Sequence, residues 1–186
     1  MDGEKDLGNA TFSFVLGPAG VASVFASEAA ITIPTNGKAD PYPSTIEVSG
    51  MPGTISRMTV TLNAVNHLYP DDLDILLVGP SGQTVMLMSD CGGSHDLINT
   101  TITFDDNAAA PLPDSAAIVN GSYKPANYTP ADSFPPPAPL QPYGATLSAF
   151  SGLDPNGLWS LYAFDDALGK IAAAVTAGTS EALYLH

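Results

Sequence analysis

The chain is poor in basic residues. Only five of its 186 residues are lysine or arginine, against nineteen aspartates and glutamates, and the formal net charge is −14. Such a surface repels nucleic-acid phosphates and anionic lipid headgroups, so we expect no nucleic-acid partner and no attraction to an anionic membrane surface. A single cysteine, Cys91, excludes an intramolecular disulfide. No apolar run is long enough to span a bilayer, so we expect no membrane insertion.

Strand-like alternation of apolar and polar residues is the dominant pattern. Apolar residues occupy every second position from Met58 to Ala64, which predicts a half-buried strand. The run from Leu73 to Val78 is almost wholly apolar and ends at Gly79-Pro80, which predicts a strand buried on both faces. A Pro80-Ser81-Gly82 turn then leads to a further apolar run, so we expect a hairpin. Many short strands with little helix predict an all-β fold, specifically a β-sandwich.

A long proline-rich segment, residues 111–142, interrupts this pattern. Proline removes a backbone donor and fixes φ, so we expect no regular structure there. The segment nevertheless carries apolar and aromatic side chains such as Leu112, Ile118 and Phe134. These side chains are typical of an ordered loop that lies across a domain, and we predict such a loop.

Aspartates are concentrated at the ends of the predicted strands. A lone aspartate in such a place ordinarily caps a turn and stays solvated. Several groups of aspartates in a chain with five basic residues repel one another unless a cation holds them. Calcium takes six to eight oxygen ligands, so we predict a Ca²⁺ site built from several loops. The candidate ligands are Asp71, Asp72, Asp74, Asp90, Asp105, Asp106, Asp165 and Asp166.

Nothing in the sequence supports catalysis. Ser94-His95-Asp96 contains the residue types of a catalytic triad, but sequence neighbours do not face one another as a triad requires. The chain has no G-x-S-x-G elbow and no clustered cysteine and histidine ligands for a transition metal. We therefore predict that the protein is not an enzyme.

Four motifs carry a resemblance to a known family. They are "LYPDDLDILLVGPSG", "SDCGG", "ITFDDNA" and "PNGLWSLYAFDD". Together they resemble the P domain (P/Homo B) of proprotein convertases, in the branch found in bacterial secreted proteins, over about Ala29 to Asp166. The resemblance implies a jelly-roll-like β-sandwich of about eight strands spanning residues 29–186. Residues 1–28 would form an N-terminal extension with one possible strand, in "ATFSFVLGP".

The same resemblance implies a non-catalytic role. P domains stabilise the subtilisin-like catalytic domain that precedes them, and some bacterial members look like calcium binders, which supports the aspartates above. This chain departs from the family pattern at its end, where no Gly-Gly-Trp strand follows Asp166. We expect residues Ala182 to Leu185 to supply the closing strand instead.

Three functions remain open. The first is an extracellular, calcium-binding structural module of the cell surface that self-associates by strand exchange into a homo-oligomer, polymer or filament. The second is an accessory domain that binds the catalytic domain of a secreted serine protease. The third is a carbohydrate-binding module that uses exposed rings of Tyr123, Tyr128, Phe134 and Tyr143. The polar, acidic start from Met1 to Gly8 is no signal peptide, so an extracellular location implies a mature form.

Overall fold

The computed structural model describes residues 10–15, 23–27, 29–128, 132–166 and 180–185. Within these ranges the regular secondary structure is almost entirely β-strand, and the two helices are single 3₁₀ turns at Pro70–Asp72 and Leu147–Phe150. In the same ranges, no helix has the length and apolarity that crossing a membrane requires. The all-β prediction is confirmed.

The described residues contain thirteen strands, more than the eight or so expected, because several are only two or three residues long. They are β1 (Ala10–Val15), β2 (Ser23–Ser27), β3 (Ile31–Thr32), β4 (Gly37–Lys38), β5 (Ser44–Val48), β6 (Arg57–His67), β7 (Leu73–Val78), β8 (Thr84–Ser89), β9 (Leu97–Phe104), β10 (Gly121–Tyr123), β11 (Ala126–Asn127), β12 (Gly157–Asp165) and β13 (Ser180–Leu185).

The strands form two mixed sheets. In the larger sheet the order is β10-β9-β6-β1-β2-β13-β3, and β6 also pairs with β13. In the smaller sheet the order is β11-β8-β7-β12-β4, with β5 pairing with β12. Neighbours are antiparallel except for β10 beside β9 and β11 beside β8. The strand predicted near the C-terminus is present as β13, and the strand predicted in residues 1–28 is present as β1. A second strand in residues 1–28, β2, was not predicted.

The smaller sheet contains the predicted hairpin. Strands β7 and β8 pair antiparallel, and the Gly79 N–H donates to the Gln83 carbonyl at 2.8 Å across the turn. From Leu73 to Leu77 every residue of β7 is buried, as the apolar run predicted. This includes Asp74, an acidic residue in the interior of the fold.

Apolar side chains of both sheets share one core. Val60 and Leu62 of the larger sheet belong to the same buried cluster as Leu77 and Trp159 of the smaller sheet. Trp159 is 1% exposed, packs edge-on against Phe150 and donates its indole N–H to a backbone carbonyl. The burial of these large side chains supplies the main stabilising free energy of the fold.

The proline-rich segment is ordered, as its apolar side chains predicted. Phe134 is buried with Leu76, Met86 and Tyr162 in a second apolar cluster, on the smaller sheet. Gly144 then bonds through its N–H and carbonyl to the backbone of β8. The prediction that the segment has no regular structure was wrong, because β10 and β11 lie within it. Both are short outermost strands placed between prolines, positions at which proline does not interrupt a ladder.

Candidate metal centre

Asp74 is the second residue of β7 and pairs in register with Phe164 of β12. Its side chain lies in the interior, since the residue is 2% exposed. The Oδ2 atom is buried and has no hydrogen-bond partner among the described residues. A buried carboxylate oxygen without a partner loses its hydration and gains nothing in return.

Two further carboxylates converge on Asp74. Asp166 directly follows β12, where its backbone N–H donates to the Asp72 carbonyl at 3.0 Å. Asp132 stands at the start of the loop that Phe134 anchors. One carboxylate oxygen from each of Asp74, Asp132 and Asp166 lies within 4.8 Å of the other two. Oxygens bound on opposite sides of one calcium ion are about 4.6–5.2 Å apart, so this spacing suits a shared ion.

Ser89, the last residue of β8, completes the polar surroundings. Its hydroxyl, which has one proton to donate, lies 2.9 Å from Asp132 Oδ2 and 3.2 Å from Asp90 Oδ2. Asp90 has a left-handed backbone (φ 53°), a conformation that aspartate tolerates better than most residues. The cluster therefore draws on the ends of β7, β8 and β12 and on one loop.

Burial and the repulsion of neighbouring carboxylates make Asp74 and Asp166 hard to ionise. Burial, followed by the charge of Asp132, raises the pKa of Asp74 to about 8, and the Ser89 hydroxyl offsets part of that rise. Burial also raises the pKa of Asp166, with Asp132 and Asp72 adding to the effect. A bound cation would reverse this situation, because it favours the ionised form of every carboxylate around it.

The donor set suits a hard cation. Three carboxylates offer six oxygen atoms, and the group contains no sulfur or imidazole ligand. Oxygen-only sites of this kind suit calcium, with water completing the six to eight ligands, and are unfavourable for zinc or copper. The residues that would hold the ion are Asp74, Asp132 and Asp166.

The structure brings only some of the predicted aspartates to this place. Asp74 and Asp166 lie in the cluster, and the charge of Asp90 acts on Asp74. Asp71 and Asp72 form the 3₁₀ turn that precedes β7. The roles of Asp71, Asp72 and Asp90 as ligands stay predictions.

The remaining predicted aspartates bind protein groups. Asp105 accepts an ion-paired hydrogen bond from Arg57 at 2.5 Å. Asp106 accepts the backbone N–H groups that open the second 3₁₀ turn, at 2.9 and 2.7 Å. Asp165 is buried and lies 3.0 Å from the Nε2 atom of His67. Asp165 is the last residue of β12, and Asp166 follows it. Because adjacent residues of a strand point to opposite faces, Asp165 contacts His67 while Asp166 lies in the cluster.

Asp132 was missed from the sequence. It stands alone in the proline-rich segment rather than in a group at a strand end. Its only sequence signal was its position two residues before Phe134, an apolar anchor of a loop predicted to be ordered. That the loop returns to β7 is a property of the tertiary structure.

The residue types associated with other functions have local structural roles. His95 lies in an exposed loop, with Nδ1 3.2 Å from the Gly92 carbonyl oxygen. The Cys91 thiol is buried and bonded to the Ser89 carbonyl, and burial raises its pKa to about 12, so it is a poor nucleophile.

The four aromatic residues considered for glycan binding hold the proline-rich segment in place. Phe134 is 4% exposed, and the hydroxyls of Tyr123, Tyr128 and Tyr143 each donate to a backbone carbonyl of that segment. Phe134 is too buried to stack on a sugar, whereas the other three residues are half-buried, so their role in glycan binding stays a prediction.

The described residues thus form an all-β chain in which the buried carboxylate of Asp74 lies beside the half-buried carboxylates of Asp132 and Asp166. Comparisons of the chain with protein-family models, with curated proteins and with solved structures gave no match.

Proposed function

We propose that this chain is a non-catalytic, calcium-binding jelly-roll β-sandwich that serves as a structural module at the cell surface. One observation carries the proposal. Asp74 places an unpartnered carboxylate oxygen in the interior of the fold, beside the carboxylates of Asp132 and Asp166. Folding with such a group is costly unless a cation joins it, and a hard divalent cation fits its donors.

The ion would act as a fastener between parts of the chain that are distant in sequence. Asp74 belongs to β7, Asp166 follows β12, and Asp132 belongs to the loop packed on the smaller sheet. A ligand that binds only the folded state stabilises it by about 2.7 kcal/mol at 100 times its dissociation constant. Calcium would therefore tie the loop to the sheet and raise the stability of the whole domain.

A structural role outside the cell agrees with the charge of the chain. Calcium sites of extracellular modules have dissociation constants of roughly 10⁻⁴ to 10⁻³ M, a range that a site of three carboxylates can reach. Copies with a net charge of −14 repel one another, and bound calcium would weaken this repulsion and favour assembly.

The test is calorimetric titration of the full chain with CaCl₂ and, separately, with MgCl₂. We expect saturable calcium binding that weakens at least about tenfold in each of Asp74→Asn, Asp132→Asn and Asp166→Asn. Asp96→Asn is the matched control, because it removes one charge at an exposed residue that is not part of the cluster. Equal affinity in all four variants, or no binding at millimolar calcium, would overturn the proposal.

A further inference from the structure

Strands β1 and β13 pair with the same residues of the larger sheet. On β6, Val60 is the partner of both Phe12 and Leu185, and Thr61 is the partner of both Thr11 and Tyr184. On β2, Phe25 and Ala26 are likewise shared between the same two strands, in the same register. Strands β1 and β13, which are far apart in sequence, thus share one set of backbone partners.

The position between β6 and β2 has room for one strand. The opposite edge of β6 is occupied by β9, whose Thr103 hydroxyl lies 2.8 Å from that of Thr61. Each residue has one backbone N–H and one carbonyl with which to pair, so its free edge accepts one neighbouring strand. At Val60 and Thr61, β1 and β13 therefore exclude each other.

The two strands are equivalent as ladder partners. Both run antiparallel to β6 and to β2, and both place an apolar residue opposite Val60, which is fully buried. They differ in what they pair with outside the shared residues. β1 extends along β6 to Arg57, whereas β13 extends to Asn63 and on to β3.

We propose that the cleft between β6 and β2 accepts one strand, that β1 and β13 are its alternative occupants, and that the excluded strand can enter the same cleft of a second copy. This deepens the structural role proposed above, but it rests on backbone pairing and is independent of the cation cluster. The partner is a second copy of this chain, because among the described strands β1 and β13 are the two that pair with both β6 and β2 in this register.

Exchange between copies follows from this arrangement. The strand left outside the cleft exposes unpaired N–H and carbonyl groups, which favour addition to a sheet. Entry into a neighbour's cleft restores every ladder bond that it lost, as in donor-strand complementation and domain swapping. Each chain has one cleft and two strands that fit it. A strand that enters a neighbour's cleft takes the place of the strand there, so the number of filled clefts stays the same. A high protein concentration favours this exchange between copies.

Paired cysteines test whether the two strands exclude each other. In a Cys91→Ala background, Ser13→Cys with Thr59→Cys reports β1 in the cleft, and Ala182→Cys with Asn63→Cys reports β13, because each pair stands directly opposite in register. We expect each pair alone to form a disulfide on mild oxidation. The chain with all four cysteines should form one disulfide per cleft and retain two free thiols, counted by mass spectrometry after alkylation. Two disulfides within one monomeric chain, or none with either pair, would overturn the proposal.

A mixing experiment tests entry into a second copy. One chain carries only Ser13→Cys and the other only Thr59→Cys, both in the same cysteine-free background. We expect a covalent heterodimer whose yield rises with concentration. A mixture of Ser13→Cys with Asn63→Cys is the control, because these positions are four residues out of register. A heterodimer yield no higher than that of the control would refute strand donation. Cross-linking with and without chelator separates this result from calcium binding, since the disulfides need no metal.

Discussion

Replacing Asp74 by asparagine should change how the stability of the metal-free protein depends on pH. The side chain keeps its shape but can no longer ionise, so the substitution isolates the effect of one buried carboxylate. In the native state, burial and the charge of Asp132 raise the pKa of Asp74 to about 8, whereas an aspartate in an unfolded chain has a pKa of about 3.9.

The sign of the effect follows from proton binding. Between these two pKa values the native state holds a proton that the unfolded state has lost, so the free energy of unfolding falls as pH rises. The stabilising contribution is complete below about pH 4 and is lost by about pH 8, at about 1.4 kcal/mol per pH unit. From pH 5 to pH 7 the wild-type chain should therefore lose about 3 kcal/mol relative to Asp74→Asn.

Urea denaturation in chelator at several pH values measures this difference. With a denaturant slope of about 1–3 kcal/mol per molar urea, 3 kcal/mol moves the wild-type midpoint by about 1–3 M against the variant. At pH 7 calcium should raise the midpoint of the wild type more than that of the variant, whose affinity for calcium is weaker. Asp96→Asn serves again as the exposed control and should follow the wild type. If wild type and Asp74→Asn gave parallel stability curves between pH 5 and 7, the carboxylate would already be ionised or paired, and the reasoning would fail.

Three further substitutions test the packing around this site. Phe134→Ala should lower the free energy of unfolding by about 3–5 kcal/mol and weaken calcium binding, because it releases the loop. Leu140→Ala, at an 84% exposed position, is the control and should change neither the denaturation midpoint nor the calcium affinity. Gly144→Ala should lower the free energy of unfolding by about 1–3 kcal/mol, since its Cβ would lie 2.6 Å from a backbone oxygen of β8. Gly121→Ala is the comparison, because its Cβ would meet only a side-chain ring at 3.4 Å. Thermal melts of both variants measure the difference in stability. His67→Ala removes a hydrogen-bond partner of a buried carboxylate and should cost about 1–3 kcal/mol, measured by urea denaturation; a loss below 0.5 kcal/mol, the size of an ordinary surface substitution, would contradict it.

Local pattern determined the individual strands. The run from Leu73 to Val78 and the alternation from Met58 to Ala64 predicted β7 and β6, because side-chain periodicity along a strand reflects only its two faces. Gly79 and Pro80 marked the hairpin for a similarly local reason. Residues 121–127 were missed as strands because their pairing depends on neighbours from elsewhere in the chain, and not on their own pattern.

For the candidate site, too, the sequence determined one part and the tertiary structure the other. The sequence by itself determined that this acidic chain, with few basic residues, places aspartates at strand ends, and it identified Asp74 and Asp166 among the candidates. Only the tertiary structure decided that Asp132 joins them, while Asp105 and Asp106 bind an arginine and backbone N–H groups elsewhere. The reason is physical: composition sets how many charges must be accommodated, but which charges meet depends on long-range strand pairing and loop packing.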